Sequence, residues 1–220
     1  MATRLVFEQE LQELRKSVAD MGYQVESNYD RLFAALPASD FGTVEALVKN
    51  DRDVNDMERA VEAQCLHLIT KQQPIARDLR VVSASLKVVT DIERIGDHVA
   101  DIAELALRGE YVDLGEISDH LEPMIAETRE QMHRAIEAFV SRDASRVREV
   151  TEGDDVVDSL FAAVQADVIR FLRRGTGRED ACVDVLLIAK YLERIGDHAV
   201  NIGEWESFQE SGSIDHVRLL

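Results

Sequence analysis

The sequence predicts an all-α protein built as two tandem three-helix bundles, six long antiparallel helices related by an internal repeat. Three observations carry this reading. Only three prolines and eleven glycines punctuate 220 residues, too few for a β-sandwich or barrel, which needs a turn every ten residues or so. Apolar residues recur at spacings of three and four over long stretches, the period of one helix face. The hexapeptide Glu93-Arg94-Ile95-Gly96-Asp97-His98 returns as Glu193-Arg194-Ile195-Gly196-Asp197-His198, 100 positions on, and the match extends to Ile102/Ile202 and Glu104/Glu204. Earlier in each half the displacement is 103, pairing Leu11/Leu114, Leu14/Ile117, Met21/Met124, Asp40/Asp143, Asp51/Asp154 and Val54/Val157. The second unit is therefore three residues shorter between its second and third segments.

The first helix spans about Leu5 to Leu36, with apolar residues at 7, 11, 14, 18, 21, 25, 29, 32 and 36 and a length of about 48 Å at 1.5 Å per residue. Pro37 ends it, and Asp40 or Thr43 can cap the next helix. That helix runs to about Thr70 with Val44, Leu47, Val54, Met57, Val61 and Leu68 inward. Pro74 suits a first helical turn and opens a third helix that stops near Gly109. The second unit repeats the plan as about Leu114 to Ser141, Asp143 to Arg174 and Arg178 to Gln209, with Gly175-Thr176-Gly177 as its inner loop. Long helices joined by short loops pack antiparallel, so residues 1–110 form one bundle and 111–210 a second. Residues 211–220 lack periodicity and are expected to fray.

Forty-three acidic against 25 basic side chains leave a formal charge of −18. Such a surface repels phosphodiester backbones, so a nucleic-acid partner is not expected. Cys65 and Cys182 stand isolated, with no zinc or disulfide pattern. Acidic residues at Glu8, Glu10 and Glu13 break any signal peptide, and the apolar stretch from Ala181 to Leu192 is too short to span a bilayer. The expectation is a cytoplasmic chain without direct membrane insertion, reaching the membrane only through partners.

The chemistry of interest is carboxylate. Glu93, Asp97 and Asp101 are successive i,i+4 neighbours, a spacing at which like charges cost a helix roughly 0.2–0.5 kcal/mol per pair. Gly96 and Gly196 sit mid-helix, each at a cost of roughly 1 kcal/mol relative to alanine, which implies a close approach by another backbone or an ion. Asp51 and Asp154 fall on the apolar stripe of the second helices, each followed four residues on by an oxygen side chain, Asn55 or Asp158. Each bundle thus brings two neighbouring helices with oxygen ligands that could converge on hard cations. A solvated acidic face laced with Arg94 and Arg194 is the plainer alternative; recurrence of the row favours cations. His98 and His198 point about 100° away from the preceding aspartates and read as surface or partner-facing. Glu130-x-x-His133 has the di-iron spacing of ferritin-like bundles, but the first unit holds no second copy. No Walker A loop, nucleophile elbow, GxGxxG or HExxH is present.

The doubled Glu-Arg-Ile-Gly-Asp-His with its downstream Ile-x-Glu, together with Gln73-Pro74-Ile75-Ala76-Arg77-Asp78-Leu79-Arg80, resembles the PhoU family of phosphate transport accessory proteins over essentially the whole chain. The resemblance implies two three-helix bundles in tandem and a non-catalytic cytoplasmic regulator. It would act between the ATPase subunit of the phosphate ABC transporter and the sensor histidine kinase, restraining the starvation response when phosphate is plentiful, and a homodimer is plausible for it. It also implies multinuclear sites for iron, manganese or magnesium at E/D-x-x-x-D motifs. Glu93 with Asp97, Glu193 with Asp197, and Asp154 with Asp158 match that pattern; Asn55 and Asn201 depart from it as neutral amides beside Asp51 and in the place of Asp101. Two other classes stay open: a metal-dependent hydrolase using the carboxylate clusters, and a purely structural helical oligomer. The segment from Gln73 to Arg80 is a candidate partner contact or simply a helix start.

Overall fold

The computed structural model describes residues 2–49, 51–108, 117–141, 146–175, 177–214 and 217–218. Its helices are α1 (Ala2–Ala35), α2 (Phe41–Lys49), α3 (Asp51–Gln72), α4 (Arg77–Arg108), α5 (Leu121–Ser141), α6 (Val147–Leu172) and α7 (Glu179–Ser211). Helices α1 to α4 make the first three-helix bundle, with α2 and α3 together in the place of the expected second helix; α5 to α7 make the second. The expected cap at Asp40 forms: one carboxylate oxygen accepts from the Thr43 N–H at 3.2 Å and the other from its hydroxyl at 2.6 Å.

Several boundaries differ from expectation. Helix α4 opens at Arg77, not at Pro74, because Gln73 and Ala76 take left-handed φ values of 48° and turn the chain first. Helix α5 begins at Leu121, after a turn in which the Ser118 hydroxyl accepts from the His120 N–H at 3.1 Å. Gly109 and the segment expected to begin α5, residues 109–116, lie outside the described residues, as do 142–145 at the expected start of α6. Gly212, left-handed at φ 73°, ends α7 with its N–H on the Phe208 carbonyl. The tail expected to fray pairs Ser213 with Arg218 and Ile214 with Val217 in a short antiparallel ladder.

The apolar stripes read from the sequence face inward. Leu14, Met21 and Leu32 of α1, Val82, Val88 and Val89 of α4, and Leu192, Ile195 and Ile202 of α7 are fully buried. The bundles pack side by side along two antiparallel seams. In one, α1 lies on α5: the Tyr29 hydroxyl donates to the Ile125 carbonyl at 2.7 Å, Arg129 reaches Glu26 at 2.8 Å and Asp30 at 3.1 Å, and His133 reaches Glu26 at 2.9 Å. Gly22 permits the approach, since a Cβ there would stand 3.0 Å from Ile136. In the other, α4 crosses α7, and Arg80 donates to the carbonyls of Gln209 and Glu210 at 3.0 and 3.3 Å. That satisfies backbone acceptors that a helix C-terminus leaves open, and it occupies an arginine of the segment considered above as a partner contact.

Candidate functional site

The two Glu-Arg-Ile-Gly-Asp-His copies meet where α4 crosses α7. An i,i+4 row drifts by about 40° per step on a 3.6-residue helix, so the row begun by Glu93 rotates, and Asp101 arrives at the seam between α4 and α7. There it stands 3.4 Å from the His98 ring. The twin arrangement lies across a pseudo-twofold axis: His198 Nδ1 is 2.9 Å and the Asn201 amide 3.1 Å from the same oxygen of Asp91. The His98 ring stacks obliquely on Tyr191 at 5.4 Å and on His198 at 5.7 Å. His98 is buried, and burial pushes its pKa down, with the bond to Asp101 opposing and the charges of His198 and Arg194 adding to the shift. The histidines read as surface or partner-facing thus face the other bundle, and Asp101 and Asn201 serve this seam.

In the first bundle Arg94 holds both Glu93, at 3.4 Å, and Asp97, at 2.9 Å. Gly96 is needed because a Cβ there would meet Val54 at 3.2 Å and Val25 at 3.5 Å: the close neighbour is an apolar side chain. Asn55 is half-buried and partnered, and the side chain of Asp51 lies outside the described residues. Glu58 of α3, not foreseen, faces the same row; burial and then the charge of Glu62 push its pKa up, with Asp97 adding to the rise.

In the second bundle the neighbours of the glycine are polar. A Cβ on Gly196 would stand 2.8 Å from Gln131 Oε1 and 3.4 Å from Asp154 Oδ1. The Gln131 amide donates to Asp154 at 3.1 Å and to the Val150 carbonyl at 3.3 Å, while its own oxygen has no partner. Lys190 grips Glu193. Burial, then the charges of Glu193 and Asp154, push Asp197 up; burial, then Asp154 and Glu193, do the same to Asp158.

The expectation of iron, manganese or magnesium sites is corrected by this geometry. Among the described residues no group of three or more His, Cys, Asp or Glu side chains is placed to hold a metal ion. The physical reason is that the would-be ligands are engaged apart: Glu93 and Asp97 on Arg94, Glu193 on Lys190, Asp154 on Gln131, and Asp101 and Asn201 at the seam between α4 and α7. The carboxylates crowd without converging. Glu130 and His133 also part, to Arg134 and Glu26, and Cys65 and Cys182 are buried free thiols.

A second polar centre was not foreseen. Asp167 of α6, buried, accepts from Ser118 at 2.9 Å, lies 2.7 Å from His120 Nδ1 and is gripped by Arg170. Burial pushes its pKa up, but the bonds from His120 and Ser118 and the charges of His120 and Arg170 outweigh that and hold it below the usual carboxylate range. The cluster pins the start of α5 to the end of α6.

The PhoU domain model matches residues 18–106 and again 121–205. A PhoU homolog of the phosphate-specific transport system from Clostridium acetobutylicum is 32% identical over 203 residues, covering 92% of this chain and 93% of that protein. One from Methanothermobacter thermautotrophicus is 32% identical, covering 91% and 92%. Among solved structures, the phosphate transport system regulatory protein PhoU from Streptococcus pneumoniae superposes with a TM-score of 0.86 at 26% identity, over 94% of this chain and 98% of that one. PhoU from Pseudomonas aeruginosa gives 0.85 at 28%, over 94% and 100%.

Proposed function

The chain belongs to the PhoU family, regulators of phosphate transport rather than enzymes, and from that premise we propose that it restrains the phosphate-starvation response as a cytoplasmic adaptor between the ATPase subunit of a phosphate ABC transporter and a phosphate-sensing histidine kinase. The observation that supports this most is the doubled domain itself, with both hexapeptide copies at one seam, because two like halves offer two like surfaces for two partners. Contact runs through protein surfaces without bound metal. The α6/α7 face carries Asp158 and Asp197, whose pKa values are raised by burial and then by the charges of Asp154 and Glu193, and a cationic group on a partner would relieve that repulsion.

Deleting the gene and measuring phosphatase expression in phosphate-rich medium tests the regulatory role; the expected result is derepression, reversed by the parent chain. Repression that persists without the chain would overturn the proposal. Binding of the purified ATPase subunit and of the kinase's cytoplasmic region to the purified chain tests the adaptor role, and failure to bind either would remove it.

A further inference from the structure

On its outer face the α6–α7 hairpin carries both signs of charge in a set order. Asp158, Gln165, Ile169 and Arg173 follow one another at helical spacing on α6, and Asp180, Val183, Leu187 and Arg194 do so on α7; all eight are exposed. Each row thus runs from an acid through uncharged side chains to an arginine. Ile169 is 50% and Val183 55% exposed, a bare aliphatic middle. Among the described residues no ion pair holds any of the four end charges. The other charges near the hairpin's turn are spent nearby: Asp167 and Arg170 grip each other, Asp119 lies with Arg174 around one cleft, and Glu179 and Arg178 act with opposite sign on Cys182. Asp184 is half-buried within reach of the Arg108 charge on α4.

The two rows are also in register. Lys190 lies 5.4 Å over the Phe161 ring and sets α7 against α6. Midway between Asp158 and Arg173 lie Gln165 and Ala166; midway between Asp180 and Arg194 lies Leu187. Counted from the Phe161–Lys190 contact, these midpoints stand within about 2 Å of one level, so a single line across the hairpin passes through both.

We propose that this face is the interface of a twofold dimer of the chain, with the axis crossing the hairpin at Leu187 and Gln165. Rotation about that line lays α6 on α6 and α7 on α7 of the second copy, antiparallel. It brings Arg173 level with Asp158 of the partner subunit and Arg194 level with Asp180 of the partner subunit, each contact occurring twice. A chain of net charge −18 repels its own copies except through a face whose acids meet its own arginines. A partner of another sequence would need the reverse order of charge in two rows at the same separation. The patch is about 30 Å long and two helices, about 20 Å, wide, which makes on the order of 600 Å² per copy, the lower end of stable interfaces, so the dimer is a reversible one. The family resemblance makes a homodimer plausible without assigning its surface; the order of charge assigns it. A second copy thereby supplies the cation that Asp158 lacks, and the dimer is independent of the adaptor role, since binding to either regulatory partner can fail with the dimer intact.

Sedimentation velocity of the purified chain between about 1 and about 200 µM is expected to show a monomer–dimer equilibrium. The double substitution Arg173→Asp, Arg194→Asp sets acid against acid and is expected to weaken the dimer by about tenfold or more, with circular dichroism unchanged because both side chains are exposed and lack ion pairs. The reverse pair, Asp158→Arg with Asp180→Arg, is expected to do the same, and an equal mixture of the two variants to recover a dimer with one chain of each. Leu187→Cys, beside the axis, is expected to link two chains through a short bis-maleimide, whereas Arg173→Cys, about 22 Å from its own copy, is not; the native thiols are buried. A parent that stays monomeric over the whole range would overturn the proposal and leave the face to a partner of another sequence. Undiminished association of the arginine variant, or a mixture of the two variants that stays monomeric, would overturn it as well. Linking through Arg173→Cys and not through Leu187→Cys would overturn the position of the axis.

Discussion

The two bundles share a backbone plan and differ in what surrounds it. At Gly96 the close neighbours are Val54 and Val25; at Gly196 they are Gln131 and Asp154. Val25 is buried and apolar, while its counterpart Thr128 is equally buried with a hydroxyl that has no partner. Arg94 relieves both carboxylates of the first hexapeptide, but in the second Asp197 stays under the repulsion of Glu193 and Asp154. The inner loops differ the other way: Gly175 and Gly177 adopt positive φ in the second unit, where the first bends through Gln73 and Ala76, residues for which that conformation is strained. Duplication has kept the features that set helix spacing, and the side chains packed into that spacing have diverged, leaving buried polar stress in the second bundle.

The largest expected effect probes whether this divergence has separated the halves energetically. Ile92→Ala and Leu192→Ala, at matched buried positions, should each cost about 2–5 kcal/mol. Because two seams join the bundles, each variant should melt in one transition by calorimetry; two transitions in either would show bundles that unfold separately. Exchanging the twin residues sharpens the contrast. Val25→Thr should lose about 1–3 kcal/mol by burying an unpartnered hydroxyl, and Thr128→Val should gain about 1 kcal/mol by removing one. Denaturant midpoints that moved in the same direction for both would contradict the polar-stress account.

Asp167 and Asp197 give opposite pH signatures. Asp167 has a lowered pKa, so its contribution is fully present above the unfolded-state value and is lost as pH falls through the folded one. Asp167→Asn should therefore destabilise at neutral pH by about 1–3 kcal/mol and flatten the acid limb of stability against pH. Asp197 has a raised pKa: its stabilising contribution is present at acid pH and is lost as pH rises through the folded value. Asp197→Asn should raise the neutral-pH melting temperature slightly, the smallest of these effects, and a fall on thermal denaturation would remove the claim of unrelieved repulsion.

The helices were legible in the sequence because burial imposes a period, and the stripe from Leu11 to Leu36 is buried as read. Ends set by turn chemistry were less so: the spacing of apolar residues says nothing of Gln73 and Ala76 turning left-handed beyond α3, or of the Ser118 turn ahead of α5. The site was half legible. The repeated hexapeptide marked where the two halves meet but not the chemistry there, since a row drawn at i,i+4 rotates on a real helix and delivers Asp101 to a different neighbour from Asp97. Asp91 and Tyr191 align in the repeat and differ in type, a signal that their roles concern the opposite half of the molecule. Nothing in sequence spacing links Asp167 to Ser118 and His120, which meet only when α5 lies on α6.

The crossing of α4 and α7 makes the chain a covalently tethered counterpart of an isologous homodimer, in which every contact would occur twice by symmetry. In such a dimer an aspartate at position 91 would oblige both copies to use it, and one mutation would alter two contacts at once. Fusion lifts that obligation: Asp91 meets His198 on one side of the axis while Tyr191 meets His98 on the other. The tether also holds the halves together at any protein concentration, so one side of the seam is free to vary while the other keeps the pair assembled.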